Sequence, residues 1–167
     1  YGARLPNLSA SIVAALTAAF GVKPAPEAIF DYIYAVLHAP AYRTMYTEFL
    51  KTGFPRIPFT MDAKLFDKLA GLGERLVALH LLNSSELDPP LCRFEGDGSS
   101  HIGKGGKTGL RYDAAKQRVY INSTQYFVPV PEWVWIGQTG GYQVCEKWLK
   151  DRSGRRLDIG DIRTYCR

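Results

Sequence analysis

The sequence is poor in the residues that build metal centres and covalent scaffolds. Its 167 residues include three cysteines, Cys92, Cys145 and Cys166. An odd count with no Cys-x-x-Cys spacing argues against a disulfide framework and against a zinc site. The three histidines, His38, His80 and His101, form no paired ligand pattern with them. No apolar run reaches the length of a membrane span, and no signal-peptide pattern opens the chain, so a cytoplasmic, reducing compartment and no membrane partner are expected. Tyr1-Gly2-Ala3 and the short last segment are expected to be cuts through a longer protein. Internal repeats and a Gly-x-Ser-x-Gly nucleophile turn are also missing.

Catalytic motifs are present only in broken form. Gly103-Lys104-Gly105-Gly106-Lys107-Thr108 resembles a phosphate-binding loop. The full pattern needs glycine at 101, where His101 stands, and a helix afterwards; the strand-like Leu110-Arg111-Tyr112 follows instead. Asp88-Pro89-Pro90-Leu91 resembles the Asp-Pro-Pro-aromatic loop of amino-methyltransferases, with Leu91 in place of the stacking aromatic. Glu146 and Asp151 fall on a helix and lack a second carboxylate on a strand, as metal-assisted hydrolysis would need. No catalytic residue, metal or cofactor is therefore expected in this chain.

What is there is a globular composition, 46% hydrophobic and 13% aromatic. Lysine and arginine number 21 against 16 acids, a net charge of +5, and the isoelectric point is about 9.1. That excess is compatible with nucleic acid and is also common in soluble domains. The length fits one domain.

The first half, about residues 7–83, reads as helical. Leu8, Ile12, Leu16 and Phe20 make one face, closed by Gly21. Pro26 suits a first helical position, followed by the stripe Ile29, Tyr32, Ile33, Val36 and Leu37. Pro40 starts a third helix carrying Tyr42, Met45, Tyr46, Phe49 and Leu50, ended by Gly53. Phe54-Pro55-Arg56-Ile57-Pro58-Phe59 must be extended, because each proline restrains itself and its predecessor. Thr60 is the expected cap of a fourth helix, with Leu65, Leu69, Leu72, Leu76 and Leu79 as its buried seam. Gly71 and Gly73 on that helix imply close packing.

The second half, about residues 91–167, reads as sheet and helix. Residues 91–95 suggest a strand, and residues 96–109 a glycine-rich loop. Segments 110–112 and 119–121 alternate and form a hairpin, and 133–136 is a further strand candidate. Gly140-Gly141-Tyr142-Gln143-Val144-Cys145-Glu146-Lys147-Trp148-Leu149-Lys150-Asp151-Arg152 is the organising stretch. Tyr142, Cys145 and Leu149 share one helical face, with Trp148 beside them as the expected anchor, and Ser153-Gly154 stops the helix. Asp158-Ile159-Gly160-Asp161 is a cap with an acidic third position, opening a last helix. The whole is expected to be α+β: a helical N-terminal bundle with a small antiparallel β-sheet and a packed C-terminal helix.

The candidate site residues are polar and cationic. Lys104 and Lys107 lie in the glycine-rich loop, where cations suit phosphates; an ordinary solvated loop is the alternative. Arg111, Lys116 and Arg118 lie on the hairpin or its turn. A β-ribbon can enter a major groove, where arginine reads guanine; polar turn chemistry is the alternative. Asn122, Gln125 and Tyr126 could read bases, or cap turns at a strand end.

Long ordered motifs carry a resemblance. They are Arg4-Leu5-Pro6-Asn7-Leu8, Ile29-Phe30-Asp31-Tyr32-Ile33-Tyr34-Ala35-Val36-Leu37-His38, residues 54–59, Tyr120-Ile121-Asn122-Ser123-Thr124-Gln125-Tyr126-Phe127, Val130-Pro131-Glu132-Trp133-Val134-Trp135, and the organising stretch. Together they resemble the C-terminal specificity domain of the Type ISP restriction–modification enzymes across nearly the whole chain. The resemblance implies a target-recognition domain that binds double-stranded DNA with the methyltransferase domain of the same polypeptide, the duplex lying between the two. It implies a parent with N6-adenine methyltransferase and ATP-dependent restriction activities, whose other domains use S-adenosylmethionine, ATP and Mg. The alternative is a protein–protein docking module that holds the methyltransferase domain with little direct DNA contact.

Overall fold

The computed structural model describes residues 5–104, 109–139 and 141–167. The architecture is α+β, and the chain divides into two compact units, residues 1–84 and 85–167. Each has its own core.

The first unit is helical: α1 Ala10–Phe20, α2 Pro26–His38, α3 Pro40–Met45, α4 Thr47–Thr52 and α5 Ala63–His80. Gly21 ends α1 in the left-handed region at φ +73° and donates its N–H to the Thr17 carbonyl. Pro26 opens α2, as its fixed φ favours. Leu16, Ile29, Tyr32, Val36, Tyr42, Phe66 and Ala70 form the core. The Tyr32 ring is stacked between Phe59 at 5.3 Å and Phe66 at 4.9 Å.

The structure replaces three expectations here. The buried face of α5 is Phe66, Ala70 and Gly73, while Leu65 and Leu72 are exposed. The true seam is turned by one residue, about 100°, from the leucine row. A small residue at the crossing lets α5 approach α2 closely, and a leucine there would hold them apart. The expected third helix is two, broken at Tyr46 (φ −107°, ψ 19°), and of its expected stripe only Tyr42 is buried. Asp62, not Thr60, caps α5: its Oδ1 accepts from the N–H groups of Lys64 at 2.9 Å and Leu65 at 3.2 Å. Thr60 Oγ1 instead accepts the Asp62 N–H.

The second unit opens with a short 3-10 turn, Ser85–Leu87. Four strands follow: β1 Arg93–Glu95, β2 Arg111–Asp113, β3 Arg118–Tyr120 and β4 Tyr126–Val128. They form an antiparallel sheet in the order β1-β4-β3-β2. The β2–β3 hairpin forms where alternation places it, with Gln117 at φ +49° in its turn. Phe94, Phe127, Val119 and Tyr112 stand opposite one another across the sheet. They form the row that faces the core, with Ile102, Ile121, Val130, Trp135, Leu149 and Leu157.

Residues 133–136 are not a strand: α6 is Glu132–Trp135, behind Pro131. A four-residue apolar run has no usable periodicity, and the preceding proline and Glu132 suit a helix start. The chain then makes a second hairpin, β5 Gln138–Thr139 with β6 Tyr142–Gln143. Tyr142 therefore lies outside the helix expected to hold it. The helix α7 is Val144–Lys150, and its buried anchor is Leu149, with Trp148 only half-buried. The last helix, α8 Ile159–Cys166, has a complete capping box between Asp158 and Asp161.

Candidate nucleic-acid interface

Side chains alternate across a strand, so the row beside the buried one must face away from the core. That outer row is Glu95, Tyr126, Tyr120 and Arg111, one residue from each strand, aligned by the pairings Glu95↔Tyr126, Tyr120↔Tyr126 and Arg111↔Tyr120. Arg118 stands on the same face two residues before Tyr120. The Arg111 guanidinium lies 3.8 Å from the Tyr120 ring centre, and that of Arg118 lies 4.1 Å from the Tyr126 ring centre. The two tyrosine rings are 5.1 Å apart. Two cations are thus layered on two phenol rings, an arrangement favoured by the ring quadrupole.

Hydrogen bonds fix the layers. Arg118 donates to the Tyr120 hydroxyl at 3.5 Å, which is the main reason its guanidinium holds its proton more firmly than usual. Arg111 donates to the Asn122 carbonyl at 3.3 Å. At the far edge Glu95 accepts from the Tyr126 hydroxyl at 3.3 Å and from Arg93 at 3.2 Å. Asp113 on β2 stands opposite Arg118 on the same face, so Arg111 and Arg118 leave one net positive charge across β2 and β3, while Glu95 neutralises Arg93 on β1. A guanidinium stacked on a ring keeps its N–H edge free of the ring plane, and that fork matches guanine or phosphate acceptors.

Of the residues singled out in the sequence, Arg111, Arg118 and Tyr126 are brought together on this face. Lys116 lies exposed in the adjoining β2–β3 turn, 3.9 Å from Asp113 Oδ2. Lys104 is also exposed, but it lies against the Gly154 turn that follows α7. Lys107 lies outside the described residues.

Asn122 and Gln125 take the turn-capping alternative, not the base-reading one. Gln125 is 3% exposed. Its Oε1 accepts from the Ser100 N–H at 2.7 Å and from Asn122 Nδ2 at 3.0 Å, and its Nε2 donates to the Gly96 carbonyl. A Cβ at Gly98 would press on its amide. Asn122 Oδ1 accepts the N–H groups of Thr124 and Gln125, and Nδ2 also donates to the His101 carbonyl. Both amides are consumed in pinning the 96–101 segment to the β3–β4 connection. A buried amide that left these partners for a base would strand several polar groups. Tyr120, by contrast, belongs to the face and was not singled out. The spacing of Arg118 and Tyr120, two apart on one strand, is the signal for it.

The three cysteines gather elsewhere in this unit. Cys92 and Cys166 are buried and Cys145 half-buried. The Cys92 thiol is pushed up by its hydrogen bond with Cys166 and by burial, so it is no thiolate near neutrality. Among the described residues no group of three or more ligating side chains could hold a metal ion. Among them, too, no helix is long and apolar enough to cross a membrane.

The family model of the Type ISP C-terminal specificity domain matches residues 2–166. The chain belongs to that family. Among solved structures, this Type ISP specificity domain is similar to a chain of the DrdV–DNA complex determined by electron cryomicroscopy. The identity is 27% and the TM-score 0.68, over 99% of this chain and 17% of that one. It also shares its fold with a nuclease-deletion mutant of the Type ISP restriction–modification enzyme LlaGI, solved with a DNA substrate mimic. There the identity is 22% and the TM-score 0.60, over 84% of this chain and 11% of that one. The specificity domain thus spans less than a fifth of either solved chain. No curated protein matches it.

Proposed function

We propose that this Type ISP specificity domain recognises a double-stranded DNA target, acting beside a methyltransferase domain of the same polypeptide. The outer face of the four-stranded sheet supplies the contacts. Arg111 and Arg118 are its base-reading or phosphate-clamping forks, Tyr126 and Tyr120 their platform, and Lys116 a phosphate contact at the hairpin turn. Lys104 and Lys107 add charge from the glycine-rich loop. The observation that carries the reading is the Arg111–Tyr120 and Arg118–Tyr126 layering on the side of the sheet turned away from the core. Two pre-ordered guanidinium forks on a rigid sheet lose little freedom on binding. The family and the solved DrdV–DNA complex supply the ligand class.

In this reading the domain performs no chemistry itself. Its phosphate-loop and methyltransferase look-alikes are incomplete, and methyl transfer with S-adenosylmethionine, ATP hydrolysis with Mg and DNA cleavage belong to other domains of a cytoplasmic parent enzyme. Duplex binding by the full-length polypeptide, measured over target variants and salt, tests it. Substitution of Arg118 should change sequence preference. A binding profile indifferent to both Arg111→Ala and Arg118→Ala overturns the assignment of this face.

A further inference from the structure

The helical unit exposes apolar side chains that its own core does not use. Met45 is 74% exposed, Tyr46 41%, Phe49 38% and Phe54 93%. Contacts link Tyr46, Phe49 and the chain at Phe54 into one patch, and Met45 adjoins Tyr46 at the end of α3. Tyr46 packs on Tyr42 at 4.9 Å, and the Tyr42 hydroxyl donates to the Arg56 carbonyl at 2.9 Å. The Arg56 guanidinium lies 5.6 Å from the Phe49 ring centre, and that ring abuts Gly53, the neighbour of Phe54.

The patch is also held stiffly. Among the described residues the extended segment 53–59 has no strand partner. Its carbonyls at Arg56 and Pro58 are taken by the hydroxyls of Tyr42 and Tyr32, and prolines 55 and 58 restrict its backbone. A phenylalanine displayed on a fixed backbone loses little entropy when covered.

We propose that Met45, Tyr46, Phe49 and Phe54 form a docking surface for another domain of the polypeptide that carries this chain. That domain presents an apolar surface bordered by carboxylates. The proposal rests on the reading of this chain as one domain of a larger enzyme. Three observations select the occupant. Methionine, aromatics and arginine are what the centres of protein interfaces are rich in, and lysine and glutamate are what they lack. The rim is positive: Lys51 and Glu48 pair with each other at 2.7 Å, while among the described residues Arg43, two positions before Met45 on α3, and Arg56, over the Phe49 ring, have no acidic partner. That asks for acid opposite. The same rim disfavours a second copy, because a twofold contact would set this patch against itself, arginine to arginine. A duplex would find apolar rings at the centre of the patch where cations are needed.

The test compares the full-length polypeptide with the isolated 167-residue chain by hydrogen–deuterium exchange. Residues 43–56 should exchange at least tenfold more slowly in the full-length protein. Phe54→Ser, at a side chain that stabilises nothing in this unit, and Arg43→Glu with Arg56→Glu should each abolish the slowing. Equal exchange in the two proteins overturns the proposal. So does slowing that appears only when duplex is added, or slowing in the isolated chain that grows with its concentration. Charge reversal without effect overturns the acidic partner. DNA binding by Arg118→Ala is read separately, so failure of the sheet-face assignment cannot be mistaken for failure of the docking surface.

Discussion

Gly73 on α5 lies so close to Asp31 on α2 that a Cβ on Gly73 would overlap the Asp31 carbonyl oxygen. Gly71, two residues earlier and on the other side of the same helix, has nothing within 4 Å of where its Cβ would stand. The two glycines therefore have opposite value. Gly71→Ala should stabilise the chain by about 1 kcal/mol through helix propensity. Gly73→Ala should destabilise it by ~1–3 kcal/mol or more, because the helices must separate. Urea denaturation of both variants checks this; equal shifts of the same sign would show that the α2–α5 crossing has room for a methyl group at Gly73.

The same crossing shows what was legible in the sequence and what was not. Local signals were readable: Gly21 after α1, Pro26 at the start of α2, the 111–120 hairpin and the Asp158–Asp161 capping box each depend on residues a few positions apart. The α5 seam was not. Five leucines gave a plausible stripe, but the buried row is Phe66, Ala70 and Gly73, chosen by what α2 can approach. Gln125 was undecided for the same reason. Its polarity fitted either a base reader or a turn cap, and only tertiary placement shows the amide buried against Ser100, Asn122 and Gly96. The cationic face was half legible, since Arg111, Arg118 and Tyr126 are recognisable singly, while their layering needs β4, which the sequence did not suggest.

Leu149, rather than Trp148, should be the energetic anchor of α7. Leu149 is 0% exposed. Trp148 is half-buried between Tyr165 at 5.3 Å and the Arg152 guanidinium at 3.5 Å. Leu149→Ala should cost ~2–5 kcal/mol. Trp148→Ala should cost less, mainly a cation–π contact of ~0.5–2 kcal/mol and part of a ring's burial. Denaturant midpoints settle the order, and a larger loss at Trp148 would return the anchor to the indole.

The helical unit should weaken in mild acid through His38. Its ring sits 4.5 Å from Tyr34 and 5.1 Å from His80, whose Nδ1 shares a 2.6 Å hydrogen bond with the Tyr34 hydroxyl. Burial, then His80 and Arg43, hold the His38 imidazole below its ordinary value. The folded state thus binds the proton less readily than the unfolded chain. The contribution is complete above about pH 6.5 and is lost as pH falls below it, through the lower folded value. Thermal midpoints between pH 7.5 and 5 should fall faster for the native chain than for His38→Gln. Parallel curves would remove His38 as the cause.

Cations on the sheet face and cations in its loops should fail differently when removed. Lys116 sits on an exposed turn and Lys104 on an exposed loop, where a flexible ammonium meets phosphate without reading sequence. Lys116→Ala or Lys104→Ala should weaken duplex binding by the full-length protein about equally for all sequences. Each should also reduce the salt slope by about 1. Arg118 is different because its fork is oriented by Tyr126 and Tyr120. If the fork reads a base, Arg118→Ala should cost ~1–3 kcal/mol on the target and much less on a duplex changed at one base pair. Arg118→Lys keeps the charge but not the planar fork, so it should restore the salt slope without restoring the preference. Tyr126→Phe keeps the ring beneath Arg118 and should leave that preference intact, while Tyr126→Ala should erode it. Competition binding over single-base-pair target variants at two salt concentrations separates these outcomes. Full recovery of preference by Arg118→Lys would reduce Arg118 to a phosphate contact and move base reading off this face.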